Sequence, residues 1–313
     1  MLENALMLLI ALVIDQFAGE PPAVLHPVVW MGKVIAALES HAPRRSRGLQ
    51  LLYGGVIVFV PALLFGFPVW ILMSKLHAWD SIPYVLVGAV LLKTTFSVRE
   101  LGSSARGVHL ALQLGELEVA RRELSSLVSR ETGDLDASQV VAAATESVAE
   151  NTSDSFVAPA FYYLLFGVAG AVVYRVVNTC DAMVGYRGRY EYLGKLAARL
   201  DDLLNIIPSR LTGLLIPAAA KLAGGDARQA WRIAWRDHGR TESPNAGWSM
   251  SAMAGALGVT LEKTGHYQLG DMRSALVPAK IKESIRIMQL VVVLIVALYL
   301  IADFGLRIPD WKF

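Results

Sequence analysis

Residues 49–73 read Leu-Gln-Leu-Leu-Tyr-Gly-Gly-Val-Ile-Val-Phe-Val-Pro-Ala-Leu-Leu-Phe-Gly-Phe-Pro-Val-Trp-Ile-Leu-Met. The run has no charged side chain and is long enough to cross a bilayer core, which takes roughly 17–25 helical residues. Pro61 and Pro68 are expected to kink it. Arg44, Arg45 and Arg47 precede it, a basic flank that suits a cytoplasmic side. The rest of the composition agrees. Of 313 residues, 54% are hydrophobic and 18% charged, with mean hydropathy +0.46, whereas a soluble domain is about a quarter charged. The net charge of +2 gives no electrostatic case for nucleic acid. A single cysteine, Cys180, excludes an intrachain disulfide and a Cys-based zinc site. The N-terminus carries Glu3 and no basic region, so no cleaved signal peptide is expected.

Working outward, residues 82–98 form a second expected span that contains Lys93. A cation at a helix centre costs about 2.5–3.5 kcal/mol on insertion scales. Lys93 is therefore expected to snorkel from near an end or to face a polar cavity. Residues 5–18 are apolar but short, and Asp15 interrupts them. The prolines of Gly19-Glu20-Pro21-Pro22 and His26-Pro27 then break the helix. Residues 28–39 are amphipathic and expected near the membrane surface. Residues 99–155 are polar and helical, rich in arginine, and Asp134 or Asp136 should cap a helix running through Val140–Glu150. The apolar run 156–174 follows. Residues 203–220, broken by Pro208, Arg210 and Pro217, read as an interrupted or re-entrant helix. Residues 224–287 form a long polar segment before a final span at 288–304. The loop 178–202 carries Arg187, Arg189, Lys195 and Arg199, so at least one of the segments 156–174 and 203–220 should enter without crossing. The expected fold is an all-α polytopic membrane protein with about four or five transmembrane helices, interrupted segments and cytoplasmic helical loops. The whole chain, 1–313, is read as one unit.

Four polar constellations stand beside apolar segments. In the first, Glu146, Glu150 and Asp154 recur at i, i+4 and i+8, with Asn151 among them. Like charges at that spacing repel by a few tenths of a kcal/mol on a helix. Mg²⁺, which prefers oxygen ligands and often brings phosphate, would relieve the repulsion; a solvated acidic face is the plainer alternative. The second places Arg175, Asn178 and Asp181 at i, i+3 and i+6. The third holds Asp201, Asp202, Asn205 and Arg210, and only one of the adjacent aspartates is expected to join Asn205 on a given face. The fourth is Asp237–Gly258, with His238, Arg240, Glu242 and Asn245 leading into a helix of small residues and methionine. A helix without bulk lets another helix or a flat ligand approach closely. Ser243 or Asn245 would cap it. Carboxylates with Asn suit a metal, and Arg forks suit phosphate. Together the four clusters point to a cytoplasm-facing site for a multiply anionic substrate, a nucleotide with Mg²⁺. No Walker A motif, dinucleotide fingerprint, Ser-His-Asp or Cys-His signature is present, and His26 and His238 read as isolated.

The runs Ala144–Asp154, Arg175–Tyr186, Ala198–Arg210 and Arg240–Trp248, with Asp15-x3-Gly-Glu-Pro-Pro-x3-His-Pro27 and Arg130-Glu-Thr-x2-Leu135, resemble the CbiB/CobD family of cobalamin biosynthesis, in order and over nearly the whole chain. The resemblance implies an integral membrane enzyme. Such an enzyme joins (R)-1-amino-2-propanol or its O-phosphate to the free carboxylate of (adenosyl)cobyric acid by ATP-dependent amide formation, giving (adenosyl)cobinamide or its phosphate. It also implies a cell-membrane location, an active site facing the cytoplasm and association with other late enzymes of the pathway. On this reading Glu146, Glu150 and Asp154, with Asp201 or Asp202, would hold Mg²⁺. Arg210 and Arg240 would bind phosphate, and Arg175, Asn178, Asn205, His238 and Asn151 would contact substrate. Asp181 or Glu242 would deprotonate the amine, with Asn245 beside them, and the small-residue helix would face the corrin. Two rivals remain at this point: a transporter, which would carry charges at mid-span, and a catalytically idle sensor, which would lack some of the four constellations.

Overall fold

The computed structural model describes residues 2–43, 46–186 and 188–305. The basic positions Arg44, Arg45 and Arg187, used above to orient the loops, lie outside the described residues. The described residues are predominantly helical. Among the described residues, 4 helical stretches are long and apolar enough to cross a membrane: Arg47–Trp79, Ser81–Gln113, Ala137–Val184 and Ala279–Ile301. Lys195–Leu204 with Ile206–Leu222 makes a fifth if that broken pair counts as one span. The all-α polytopic fold is thus as expected. The expected spans 49–73, 82–98 and 156–174 fall inside these stretches, each of which runs further than hydropathy alone drew it, and the expected 288–304 overlaps the last stretch, which starts earlier and ends at Ile301.

Packing gathers the chain into two compact units: residues 2–97, 158–205 and 296–305, and residues 98–157 and 206–295. In the first, α1 (Leu2–Ala18) packs on α4 (Ser81–Lys93), and α3 (Arg47–Trp79) packs on α8 (Ala158–Val184). Two further helices, α2 (Pro27–Ser40) and α9 (Lys195–Leu204), flank α3 and α8. Small residues set the close approaches. A Cβ on Gly66 would sit 2.5 Å from Val173 Cγ2. The opposite face of α3 presents Phe59, Leu63, Phe67 and Trp70 outward, as a lipid-facing helix should. Its start is capped by Ser46, whose hydroxyl accepts from the Leu49 amide. α8 is itself broken: Phe166 leaves helical geometry and Gly167 takes φ 64°, a conformation glycine adopts without strain. The interruption expected near 203–220 falls at Asn205; Pro208 and Pro217 lie inside a helix.

Lys93 corrects its expectation. It neither snorkels nor faces a cavity. Its side chain is 3% exposed, and its ammonium sits 2.9 Å from Asp15 Oδ1 and 2.8 Å from Glu20 Oε1. Asp15 does not end α1 but is buried within it. His26, read as isolated, caps α2 and also contacts Glu20 Oε2 at 2.9 Å. Ser97 donates to Glu20 Oε1 at 2.7 Å. Burial alone would raise the Glu20 carboxyl, but hydrogen bonds from His26, Lys93 and Ser97 outweigh it and hold the group at about 2. The polar motif between the first two helices is therefore an ion-pair network closed on α4.

In the second unit, α5 (Val98–Gln113), α6 (Leu117–Leu124), α7 (Ala137–Thr152) and the first part of α13 (Ala279–Gly305) share an apolar core. Leu101, Val108, Val140, Ala144, Ile281 and Met288 belong to it. Asp136 caps α7 in a reciprocal capping box with Gln139, both bonds 2.8 Å. A second cluster of helices, α10 (Ile206–Leu222), α11 (Ala227–Asp237) and α12 (Ala246–Leu257), packs mutually and carries a two-stranded hairpin, β1 (Thr260–Lys263) with β2 (Tyr267–Gly270). The long polar segment 224–287 is thus folded, with a hairpin that an all-α expectation omitted.

Candidate functional site

The small-residue helix is not a corrin surface. Every residue of α12 from Gly247 to Leu257 is buried. A Cβ on Gly255 would lie 2.7 Å from Ala230 Cα and from the Gln229 carbonyl oxygen, so the missing bulk admits α11 and not a ligand. Asn245 holds the N-cap position without capping through its side chain; the Ser243 hydroxyl accepts from the amides of Asn245 and Ala246.

Released from capping, Asn245 is turned to α10. Its Oδ1 accepts from Arg210 at 2.7 Å and from Ser209 at 3.2 Å. Arg210 also donates to Ser209 Oγ and to the Ile206 carbonyl, both 3.0 Å. Its guanidinium carbon stands 5.5 Å over the Trp248 ring, and His238 stacks on the same indole, ring centres 4.0 Å apart. The Arg210 cation is therefore held by neutral oxygens and an aromatic face. Arg240, expected beside it as a second phosphate ligand, is placed differently. It pairs with Asp237 at 3.2 Å and donates to the Gln268 carbonyl. Asp237 is fully buried between Arg236, at 2.7 Å, and the Gly270 amide, at 2.8 Å. Burial would raise its carboxyl, but these bonds and the charge of Arg240 hold it below the usual range. Glu242 is exposed and pairs with His266 at 3.0 Å.

The first unit holds a separate network centred on Asp201. Asn178 donates to its Oδ1 at 3.2 Å and Asn205 to its Oδ2 at 3.0 Å. Arg175 donates to Asn178 at 3.0 Å, and the buried Tyr174 hydroxyl donates to Asn205 at 2.9 Å. Of the adjacent aspartates it is Asp201, four residues before Asn205, that joins it; Asp202 turns toward Arg199 at 3.9 Å. Asp181 lies against Gly185, where any Cβ would collide with its carboxylate and backbone. Tyr174 was not among the expected site residues, although it directly precedes Arg175.

The acidic ridge is broken. A π-helical turn, Ser153–Val157, interrupts the 3.6-residue repeat before Asp154 can continue the row. Asn151 bonds within its own helix, to the Ser147 carbonyl at 3.0 Å and to Ser155 at 3.1 Å. Glu146 is buried, and its Oε2 accepts from Arg130 at 3.0 Å. Its Oε1 is buried and, among the described residues, has no hydrogen-bond partner within 3.5 Å, although the Tyr267 hydroxyl lies close enough to the carboxyl to interact with it. It lines a recess of about 130 Å³ together with Arg130, Glu150, Lys263 and Tyr267. Lys263 and Tyr267 are cross-strand partners in the hairpin and so reach the same face. They were missed in the sequence; the i, i+2 spacing that puts Leu261 with Lys263, and Tyr267 with Leu269, on one face of two short segments about Gly265 was the available signal. Burial pushes the Tyr267 phenol well up, and the carboxylates of Glu146 and Glu150 push it further, so it stays a neutral donor.

These residues do not fit a protein-held Mg²⁺. Among the described residues no three carboxylate, His or Cys side chains converge on one point. A guanidinium at 3.0 Å already occupies one oxygen of Glu146, and a cation there opposes a dication that seeks several oxygen ligands.

Comparison with known proteins gives a consistent result. The family profile described as CobD/Cbib protein matches residues 8–291. The chain is 50% identical over 284 residues to the "Cobalamin biosynthesis protein CobD" of Dehalococcoides mccartyi, covering 91% of this chain and 92% of the relative. It is 42% identical to the "Probable cobalamin biosynthesis protein CobD" of Methanothermobacter thermautotrophicus, covering 92% and 94%. It is 41% identical to the protein of that name from Pyrococcus furiosus, covering 93% and 97%. No solved structure matches. A profile match along most of the chain, with relatives this similar over nearly their full lengths, places the chain in the CobD/CbiB family.

Proposed function

We propose that the chain is a membrane ligase of cobalamin biosynthesis. It joins (R)-1-amino-2-propanol or its O-phosphate to the free carboxylate of (adenosyl)cobyric acid, giving (adenosyl)cobinamide or its phosphate. Membership of the family and the names of its relatives support the pathway. The observation that carries the chemistry is Arg210: a guanidinium oriented by Asn245 and Ser209, backed by Trp248, and paired with no carboxylate among the described residues. Such a group binds phosphate, because its charge is not already cancelled.

A carboxylate does not acylate an amine unaided, and ATP supplies the phosphoryl group that makes its oxygen a leaving group. Mg²⁺ enters with the nucleotide phosphates, and no residue of the chain is assigned to it. Arg210 holds phosphate of ATP or of aminopropanol phosphate, with Asn245 fixing its orientation and His238 supporting Trp248. The Asp201 network fixes Asn178, Asn205 and Arg175 as substrate contacts. The attacking amine must lose a proton, and Asp181 or the Glu242–His266 pair takes it. The site faces the cytoplasm from the cell membrane, in company with other late enzymes of the pathway. The test incubates detergent-solubilised protein with cobyric acid, aminopropanol phosphate and ATP. A product of the amide's mass with stoichiometric ADP is expected; its absence with a folded protein overturns the reading.

A further inference from the structure

The recess between α7 and the hairpin holds charges of both signs in a small volume. Glu146 forms its buried wall, with Oε1 unpartnered and Oε2 on Arg130. Glu150, one turn later, is exposed, and Lys263 and Tyr267 face it from the hairpin. An unpartnered buried carboxylate oxygen costs about 1–3 kcal/mol or more, which a donor on a ligand would recover. A metal ion is the wrong donor, because Arg130 and Lys263 would repel it. A pure anion is equally wrong, because Glu146 and Glu150 would. The complementary ligand carries an ammonium and an anion a few bonds apart. Size narrows it further. A closed cavity of ~150 Å³ takes a molecule as small as benzene, so this open recess of about 130 Å³ admits a short chain and at most one end of anything larger.

We infer that this recess is the binding subsite for a small phosphorylated primary amine, with the ammonium on Glu146 Oε1 and Glu150 and the phosphate on Arg130 and Lys263. The neutral Tyr267 hydroxyl, which in the free protein meets the weak acceptor Met250 Sδ at 3.9 Å, donates to the phosphate. The inference rests on the ligase reading, in which the amine substrate is of this class, and it leaves Arg210 to the phosphates of ATP. Arg130 is then a substrate contact as well as the partner of Glu146.

The test is calorimetric titration of the full-length solubilised chain, without ATP or corrin. The probes are aminopropanol phosphate, aminopropanol, propyl phosphate, inorganic phosphate and MgCl₂. Lys263→Met and Glu150→Gln are the variants, because Glu150 is exposed and Lys263 half-buried, and unchanged melting shows that each still folds. Wild type should bind aminopropanol phosphate more tightly than any other probe. Lys263→Met should weaken that binding about tenfold, a change of about 1.4 kcal/mol, and leave free aminopropanol unaffected. Glu150→Gln should weaken both amines and leave propyl phosphate unaffected. The inference is overturned by no saturable binding in wild type, by propyl phosphate binding as well as the amine, by variants that bind like wild type, or by Mg²⁺ binding that Glu150→Gln abolishes. The two readings separate in the same preparation. Product formation without recess binding removes the subsite and spares the ligase; recess binding without product supports the subsite and removes the ligase.

Discussion

Replacing Lys93 with Met tests the reading of the buried network most directly. Methionine nearly matches the lysine stem in volume, so the perturbation is the loss of one charge and its hydrogen bonds. Asp15, 3% exposed, and Glu20, 23% exposed, would then face each other across a site with no cation. Breaking a buried pair from one side costs about 3–5 kcal/mol. The Glu20 carboxyl gives a second estimate. The gap between its ordinary 4.5 and about 2 in the fold corresponds to roughly 3 kcal/mol. Solvent at this partly exposed side chain reduces that to about 2 kcal/mol, of which Lys93 supplies a part. Because the folded value is depressed, this stability is present above pH 4.5 and lost as pH falls toward 2. Thermal unfolding in detergent, followed by tryptophan fluorescence, should show Lys93→Met melting several degrees below wild type at pH 7, with the difference shrinking below pH 4. Adding Glu20→Gln to Lys93→Met should restore part of the loss, since one uncompensated charge disappears. A Lys93→Met protein as stable as wild type, or a double variant no more stable than Lys93→Met alone, would refute the reasoning.

Arg210→Lys should raise the KM for ATP about tenfold or more with unchanged melting, whereas Arg240→Lys should lower melting and leave the KM alone; steady-state kinetics and unfolding on the same preparations check both. Gly255→Val should fold poorly, because its side chain would enter the Ala230 backbone at 2.7 Å, a clash worth about 3 kcal/mol or more; size-exclusion profiles in detergent report it. Glu150→Gln should leave the Mg²⁺ concentration for half-maximal rate unchanged while raising the KM for aminopropanol phosphate, and a shifted Mg²⁺ requirement would return the acidic ridge to a metal role. Asp237→Asn should destabilise the protein at pH 7, since Arg236 and Arg240 lose their shared anion; because the folded carboxyl is held below its ordinary 3.8, this difference should be full above that value, shrink as pH falls below it and vanish only once the folded carboxyl protonates.

The spans were legible because hydrophobicity is a local property, and a run such as 49–73 has no other stable setting. What approaches a local feature was not legible. Gly255 and its small neighbours announce a close contact, but only the fold supplies α11 as the contacting body in place of a corrin. Lys93 announces a buried cation, but its partner Glu20 stands 73 residues away. The ridge of Glu146, Glu150 and Asp154 assumed an unbroken α-helix, and the π turn at Ser153–Val157 removes that assumption. Lys263 and Tyr267 were lost because the four-residue strands that carry them are too short to register against a helical background. The polar motifs were found in sequence; their division into structural and ligand-facing groups was not.

That division follows from charge balance. In a chain with 18% charged residues, an ionic group beside apolar helices needs a counter-charge or a ligand. Lys93, Arg236 and Arg240 each have a carboxylate within 3.2 Å, so their fields are cancelled inside the fold. Arg210 has neutral oxygens and an indole in the same role. The two arginines Arg210 and Arg240 look equivalent in sequence, each beside a carboxamide or carboxylate in a motif of the same family. Structure assigns them opposite duties: Arg240 closes the α11–hairpin junction through Asp237, and Arg210 keeps an uncancelled field at a fixed orientation. The recess at Glu146 inverts the pattern, with an anion whose second oxygen lacks a donor. The ligase proposed above would have to bring together a triphosphate and an ammonium, which needs one imbalance of each sign, and the second compact unit contains both.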